Sequence, residues 1–98
     1  MTVEHETIDP DGRRVVIDER SLGHLRRRRP QMLRQVDAIL ATIARPDRRE
    51  GDPVPGRERF YRIDLDASRW LRVVVDFTEA PGFVVTAFIQ DTEPGGTL

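Results

Sequence analysis

The clearest pattern of hydrophobic and polar positions lies between residues 30 and 44, where apolar residues recur every three or four positions. This spacing places them on one face of a helix. Pro30 suits the first helical position, because its missing N–H would have no partner there, and Pro46 cannot continue the helix. We therefore predict a main helix from about Pro30 to Ala44 whose buried face consists of Met32, Leu33, Val36, Ile39, Leu40 and Ile43.

Three later segments show the alternation that is typical of β-strands. They cover residues 58–65, 69–77 and 83–90, and turn-forming residues at 66–68 and 79–82 separate them. An antiparallel meander is the simplest connection. Alternation assigns one face to packing against the helix, with Leu71, Val73, Val75, Phe77, Phe83, Val85, Ala87 and Ile89, joined by Tyr61, Ile63 and Leu65.

The opposite face of this sheet is expected to mix charged, aromatic and small residues: Phe60, Arg62, Asp64, Trp70, Arg72, Val74, Asp76, Val84, Thr86, Phe88 and Gln90. A hairpin centred near Ala80 would pair Val74 with Thr86 and Arg72 with Phe88, and would bring Arg72 diagonally next to Thr86. Aromatic rings beside arginines suit a nucleic-acid surface. An ordinary half-exposed sheet face with cation–π pairs explains the pattern equally well.

The rest of the chain completes a single α+β domain over residues 1–98. Segments 3–8 and 13–18 flank a turn sequence, Asp9 to Gly12, and predict an N-terminal hairpin or arm within residues 1–20. Ser21 can cap a short helix, so that residues 21–45 form the helical segment. Residues 46–57 are expected to be a loop, residues 58–90 an antiparallel sheet of three to four strands, and residues 91–98 a polar tail.

Charge is strongly segregated although the net charge is only −1. Residues 20–49 hold nine arginines and two acids, whereas residues 73–98 hold four acids and no base. Such a local cationic segment is the electrostatic signature of a polyanion-binding site. All sixteen basic residues are arginines, which fits either a GC-rich genome or a preference for bidentate phosphate contacts.

Composition also narrows the functional classes. The absence of cysteine excludes disulfides and thiolate chemistry. No apolar run is long enough for a membrane span, and the acidic N-terminus lacks a signal-peptide core, so we expect a cytoplasmic protein. Two histidines without a close ligating partner form no recognisable metal site, and we expect neither a metal nor a cofactor.

His24 is the main candidate for chemistry, because it lies two residues before the cationic run Arg26, Arg27, Arg28 and Arg29. Metal-free RNA cleavage needs a proton carrier for the 2′-hydroxyl and leaving oxygen, and cations for the phosphorane charge. His24 could supply the first, the arginines of the helix start together with Arg62 or Arg72 the second, and Thr86 a hydrogen bond to a phosphoryl oxygen. Of these cations, we expect Arg29 and Arg72 to hold the phosphate that is cleaved. Further RNA contacts are expected from Arg26, Arg27, Arg28, Arg62, Trp70 and Phe88.

The order of several short motifs resembles a known nuclease superfamily. His24 is followed by Arg29-Pro30 and an amphipathic helix ending at Arg45-Pro46-Asp47, then by residues 59–62 (RFYR), 71–75 (LRVVV) and 85–88 (VTAF). This order is similar to that of the small phage- and mobile-element-associated nucleases of the barnase–EndoU–colicin–RelE-like superfamily. The resemblance spans roughly residues 21–91. It implies N-terminal helices on a curved antiparallel sheet, metal-independent RNA cleavage, and a toxin with an antitoxin or immunity partner.

The resemblance also assigns site residues. His24 matches the histidine that opens the helical segment, Arg72 a basic position on a central strand, and Thr86 the Ser/Thr of the last strand. Arg29 stands where many such relatives have a second histidine. Arginine stays protonated, so His24 would have to act as both base and acid, or the chain is an inactive relative that still binds RNA. A non-catalytic RNA- or partner-binding module and a small homo-oligomeric domain, such as a homodimer, remain the alternatives.

Overall fold

The computed structural model describes residues 3–63 and 69–94 of the chain. Two α-helices and a 3-10 helical segment pack on a six-stranded sheet, so the predicted α+β class is confirmed and the expected strand number of three to four is wrong. The elements in chain order are β1 (Val3–Ile8), β2 (Arg14–Asp18), α1 (Glu19–Arg28), the 3-10 segment (Pro30–Gln35), α2 (Val36–Ala44), β3 (Arg48–Gly51), β4 (Arg57–Ile63), β5 (Trp70–Asp76) and β6 (Gly82–Gln90).

The strands lie in the order β1-β2-β6-β5-β4-β3. The N-terminal hairpin and the meander β4-β5-β6 are both present and antiparallel, as alternation and turn residues predicted. The two units join through a parallel pair in which β2 lies beside the first residues of β6. The sheet is therefore mixed and not purely antiparallel.

Strand β3 occupies part of the segment that we expected to be a loop. Its four residues, Arg48 to Gly51, pair with β4. The strand carries no apolar alternation, because its first three residues are charged and the fourth is glycine. Two of these side chains interact with charged residues of β4 and of the turn between β1 and β2. Glu50 accepts hydrogen bonds from the Arg59 guanidinium and the Tyr61 hydroxyl at 3.2 and 2.9 Å. Hydrophobic periodicity cannot detect such a strand.

The helical segment begins earlier than expected and is less regular. Asp18, not Ser21, caps the N-terminus of α1. Ser21 is the third residue of the helix, and its hydroxyl accepts from the Asp18 backbone N–H to complete a reciprocal capping box. The Ser21 hydroxyl also donates to the Val84 carbonyl of β6 at 2.7 Å. The predicted main helix starts at Pro30 and ends at Ala44, but its first six residues form a 3-10 helix.

One sheet face, which we call the helix face, packs against the helices. Its core contains Leu71, Val73 and Val75 of β5, as predicted, together with Leu25, Met32, Ile39 and Ile43. A bulge between Val74 and Val75 shifts the register of β6, so Val84 faces the core, and the predicted core positions Phe83 and Val85 do not belong to it.

The faces of β4 are also exchanged relative to the prediction. Phe60 pairs with Val73 and is a core residue, whereas Tyr61 pairs with Arg72 and Ile63 is exposed. Tyr61 and Ile63 therefore belong to the opposite face, which we call the outer face. The predicted positions Asp64 and Leu65 lie outside the described residues.

The sheet curls around the core, because the β1–β2 turn reaches strands at the other end of the strand order. The Arg13 guanidinium donates to both carboxylate oxygens of Glu58 on β4 at 2.8 and 2.9 Å. Arg49 of β3 donates to Asp11 in the turn at 2.8 Å. Helix α2 contacts β1, β4 and β5 within this curl. Across residues 3–63 and 69–94, the helices are too short and too polar to cross a lipid bilayer.

Candidate RNA-binding surface

The arginines of this protein fall into two sets with different surroundings. In the first set, each guanidinium lies within ion-pair distance of a carboxylate; the set comprises Arg13, Arg14, Arg20, Arg48, Arg49, Arg57 and Arg59. These contacts join strands and turns to one another. Their positive charge is largely neutralised within the fold.

The second set, which we call the unpaired arginines, makes no ion pair with any carboxylate in residues 3–63 and 69–94. Its members are Arg26, Arg27, Arg28, Arg29, Arg34, Arg45, Arg62 and Arg72. The first four lie at the end of α1, and all four are exposed. Half of the unpaired arginines therefore lie together at the end of α1.

Phe88 of β6 brings two unpaired arginines together on the outer face. The guanidinium carbon of Arg29 lies 5.1 Å from the centre of the Phe88 ring, and that of Arg72 lies 5.0 Å from it. Both distances are within cation–π range. One aromatic ring thus contacts two cations, one from the end of α1 and one from β5.

Arg72 is fixed in place by aromatic rings and not by a carboxylate. Its guanidinium also lies 5.4 Å from the ring centre of Tyr61, so it contacts rings from the strands on both sides. The Nε of Arg72 is buried and has no hydrogen-bond partner within the described part of the chain. A buried donor without an acceptor costs free energy, so the aromatic contacts hold Arg72 in place at some energetic cost.

Tyr61 is a site residue that the sequence analysis missed. It is fully buried, and its hydroxyl donates to the Glu50 carboxylate. Burial raises the pKa of this hydroxyl above its ordinary value, and the bond to Glu50 acts in the same direction. The residue therefore remains a neutral ring beside Arg72. The pairing of Tyr61 with Arg72 depends on the length of chain between β4 and β5, and strand alternation alone does not determine that register.

Thr86 lies on the same outer face. The observed register pairs Val74 with Thr86 and Arg72 with Phe88, as predicted, so Thr86 is the diagonal neighbour of Arg72. Thr86 is half-buried, and its hydroxyl makes no hydrogen bond within the described residues. It is available to donate to a ligand that reaches Arg72.

His24 lies on the side of α1 that carries Arg20. Arg20, one turn earlier, stacks over Phe83 of β6 at 3.6 Å, and Arg29 reaches Phe88 of the same strand. Helix α1 therefore runs beside β6, and its residues between these two contacts pass the intervening part of β6, where Thr86 lies. Residues four positions apart share a helix face, so His24 projects from the same side as Arg20.

The environment of His24 favours its neutral form. Burial lowers the pKa of the imidazole below its ordinary value, and the charges of Arg27, Arg28 and Arg29 act in the same direction. At neutral pH the ring thus carries a nitrogen lone pair that can accept a proton. This is the protonation state that a general base requires.

Of two further expected RNA contacts, Arg62 is placed differently from the prediction and Trp70 is placed as predicted. Arg62 pairs with Leu71, a core residue, so it lies on the helix face and not beside Arg72. Its predicted place on the outer face is wrong, because the register of β4 is shifted by one residue. Trp70 is half-buried on the outer face at the start of β5, where it pairs with Gln90 and Ile63.

No metal centre is evident in residues 3–63 and 69–94, because nowhere in them do three or more histidine, aspartate or glutamate side chains converge as ligands would. Comparison with known proteins adds no identity to this geometry: no protein-family model, no curated protein and no solved structure matches the chain.

Proposed function

We propose that this protein binds RNA through the outer face of its sheet and the end of α1. The observation that supports this most strongly is the meeting of Arg29 and Arg72 on the Phe88 ring without a carboxylate within the described residues. Neither guanidinium is neutralised by a carboxylate of the described residues, so both charges are available to an anionic ligand. A phosphate of a nucleic-acid backbone fits, because arginine matches its geometry and the aromatic ring can stack a base.

RNA is preferred over double-stranded DNA because the contacts combine an aromatic ring with arginines on a sheet surface. Single-stranded RNA is commonly recognised by stacking its unpaired bases on such rings, with nearby cations tracking the backbone. The exposed run Arg26 to Arg29 extends the cationic surface along α1 and would contact further phosphates.

A binding measurement with two matched substitutions tests this proposal. Arg72→Gln and Arg29→Gln should each weaken the binding of a fluorescent single-stranded RNA roughly tenfold or more, as expected for loss of a charge-assisted hydrogen bond. Arg14→Gln makes the same change in net charge at the far end of β6, where Arg14 pairs with Glu6. The RNA affinity of the Arg14→Gln variant should stay within about twofold of that of wild type. Equal weakening by all three variants would contradict a defined site.

Cleavage of the bound RNA is a second candidate function, and the imidazole of His24 favours it, because its pKa is lowered by burial and by the charges of Arg27, Arg28 and Arg29. His24 would take the proton of a 2′-hydroxyl, whose oxygen attacks the adjacent phosphorus. The 5′-oxygen leaves with the proton that His24 returns, giving a 2′,3′-cyclic phosphate and a 5′-hydroxyl. Arg29 and Arg72 would stabilise the phosphorane charge, and Thr86 would donate to one of its oxygens.

The cleavage candidate is tested separately from binding. Wild type should release cyclic-phosphate products from RNA between pH 5 and 8, and His24→Ala should abolish the products without loss of RNA affinity. His5→Ala is the matched control, since His5 lies exposed on β1. If wild type binds RNA but leaves it intact across this range, the protein is an RNA-binding module. Cleavage would in turn make a toxin role, and hence an antitoxin or immunity partner, worth testing.

A further inference from the structure

A small cleft lies on the helix face, lined in part by residues that closely follow Arg29 and Phe88 in the chain. Its volume is about 170 Å³. The 3-10 segment and α2 form one wall, and the ends of β5 and β6 form the other. Met32, Ala38, Leu71 and Ile89 give it an apolar floor, and Gln31, Gln35 and Arg69 surround its opening.

The size of the cleft selects the class of ligand. Pockets for drug-sized molecules measure about 300–1,000 Å³, so this cleft is too small for them and suits a single planar ring system. Met32 and Leu71 are almost fully buried, which makes the floor rigid and apolar. A nucleobase has the matching character, with apolar ring faces and polar edges.

The opening of the cleft carries side chains that can read such an edge. Gln31 and Gln35 are exposed, and neither amide makes a hydrogen bond within the described residues. An amide both donates and accepts, so it can form paired hydrogen bonds with the edge of a base. The 3-10 helix aligns residues three apart, which sets Gln35 directly above the buried Met32.

The cleft is continuous in the chain with the proposed RNA-binding surface. Arg29 contacts Phe88 on the outer face, Pro30 begins the 3-10 segment, and Gln31 already lines the cleft. Ile89, next to Phe88 on β6, forms part of the floor on the other sheet face. An RNA strand with one phosphate bound at Arg29 could therefore pass around this end of β6 and place a neighbouring nucleotide in the cleft.

We propose that this cleft binds one nucleobase of the RNA strand and sets a base preference through Gln31 and Gln35. The inference rests on the proposed RNA-binding function and adds to it a site for base recognition. Phosphates held by the unpaired arginines would supply affinity, whereas the cleft would supply discrimination. This division is the usual one in nucleic-acid recognition.

The test uses short single-stranded RNAs of one base each and an RNA whose sugars lack bases. Wild type should bind its best homopolymer roughly tenfold more tightly than its worst and than the abasic strand. Gln35→Ala, and Gln31→Ala, should reduce this ratio to about one to three while the affinity for the abasic strand stays unchanged. Both residues are exposed, so the fold should survive. Ala38→Leu, which fills the cleft, should give the same loss of discrimination.

The outcomes separate this inference from the function on which it rests. If wild type binds every homopolymer and the abasic strand equally, the cleft is not a base site, although RNA binding stands. Discrimination that survives both Gln35→Ala and Ala38→Leu overturns the inference in the same way. No binding to any strand overturns both. Competition by free nucleoside monophosphates, at concentrations that leave abasic RNA bound, would assign the cleft to mononucleotides instead.

Discussion

At the scale of single residues, Phe88 has the most unusual surroundings. A cation over an aromatic ring gains about 0.5–1 kcal/mol at an exposed site, and Phe88 gathers two such cations. The same residue type at Phe77 and Phe83 stacks with Arg13 and Arg20, which also pair with carboxylates. Only the arginines at Phe88 lack that neutralisation within the described residues, which is why we place the ligand there.

His24 gives a prediction about stability and pH. The pKa of its imidazole is lower in the folded protein than its ordinary value of 6.5, so the unfolded chain binds a proton more readily. The stability that this shift provides is complete above pH 6.5 and is lost as the pH falls below it. We expect the free energy of unfolding of wild type to decrease between about pH 7 and pH 5.

Urea unfolding of wild type and His24→Gln across this range checks the prediction. The variant should have a flatter pH dependence, because its side chain does not titrate. His5→Gln should retain the wild-type slope. A variant whose stability falls as steeply as that of wild type would show that His24 titrates alike in the folded and unfolded chain.

At the scale of elements, sequence patterns predicted the pieces better than their assembly. Apolar alternation located the strands of the meander, and the turn sequence near Ala80 gave the pairing of Arg72 with Phe88 correctly. The same alternation assigned Phe83 and Val85 to the wrong sheet face. The cause is one extra residue at the bulge in β6, which reverses which side chains of the strand's first half point to the core. It also missed β3, whose four residues are held by backbone pairing and charges.

The parallel contact between β2 and β6 could not be predicted either. It joins residues more than 60 positions apart through only two register pairs, Val15 with Gly82 and Val16 with Phe83. Nothing in a strand of this length specifies its distant partner. The sequence likewise indicated a cationic helix start and a mixed sheet face, but not the Tyr61–Arg72–Phe88 arrangement, which needs the register of all three strands.

The turn between β1 and β2 gives a prediction about how the sheet closes. Arg13 pairs with the fully buried carboxylate of Asp9 at 2.7 Å and with Glu58 of β4 at 2.8 Å. We expect Arg13→Ala to lower the free energy of unfolding by about 2 kcal/mol, because it removes the guanidinium that joins the buried Asp9 carboxylate to Glu58 of β4. The hydrogen bonds from Arg13 also lower the pKa of Glu58, so this stabilisation should fade as the pH falls below the ordinary range of glutamate.

Urea unfolding at neutral pH measures the effect, and Arg14→Ala is the matched control. Arg14 is the next residue along the chain, and its ion pair with Glu6 is half-exposed on both sides, so its loss should cost clearly less. If the two variants were equally stable, the ion pairs of the turn would not be what holds the two ends of the sheet together.

At the scale of the whole molecule, the distribution of charge matters more than its sum. The net charge of −1 would not suggest an RNA-binding protein. The fold pairs one set of arginines with carboxylates and leaves the other set unpaired within the described residues. The acids are thereby used within the structure, while four of the unneutralised cations, Arg26 to Arg29, lie together at the end of α1.

The salt dependence of RNA binding tests this central claim most directly. Each phosphate contact on a single strand contributes about −0.7 to the slope of log K against log salt concentration. Replacing Arg26 to Arg29 by glutamine should reduce the magnitude of the slope by about 2 to 3, if most of the four contact phosphates. Replacing the paired Arg14 and Arg48 should leave the slope as it is in wild type. A wild-type slope near zero, or an unchanged slope after the first replacement, would contradict the account.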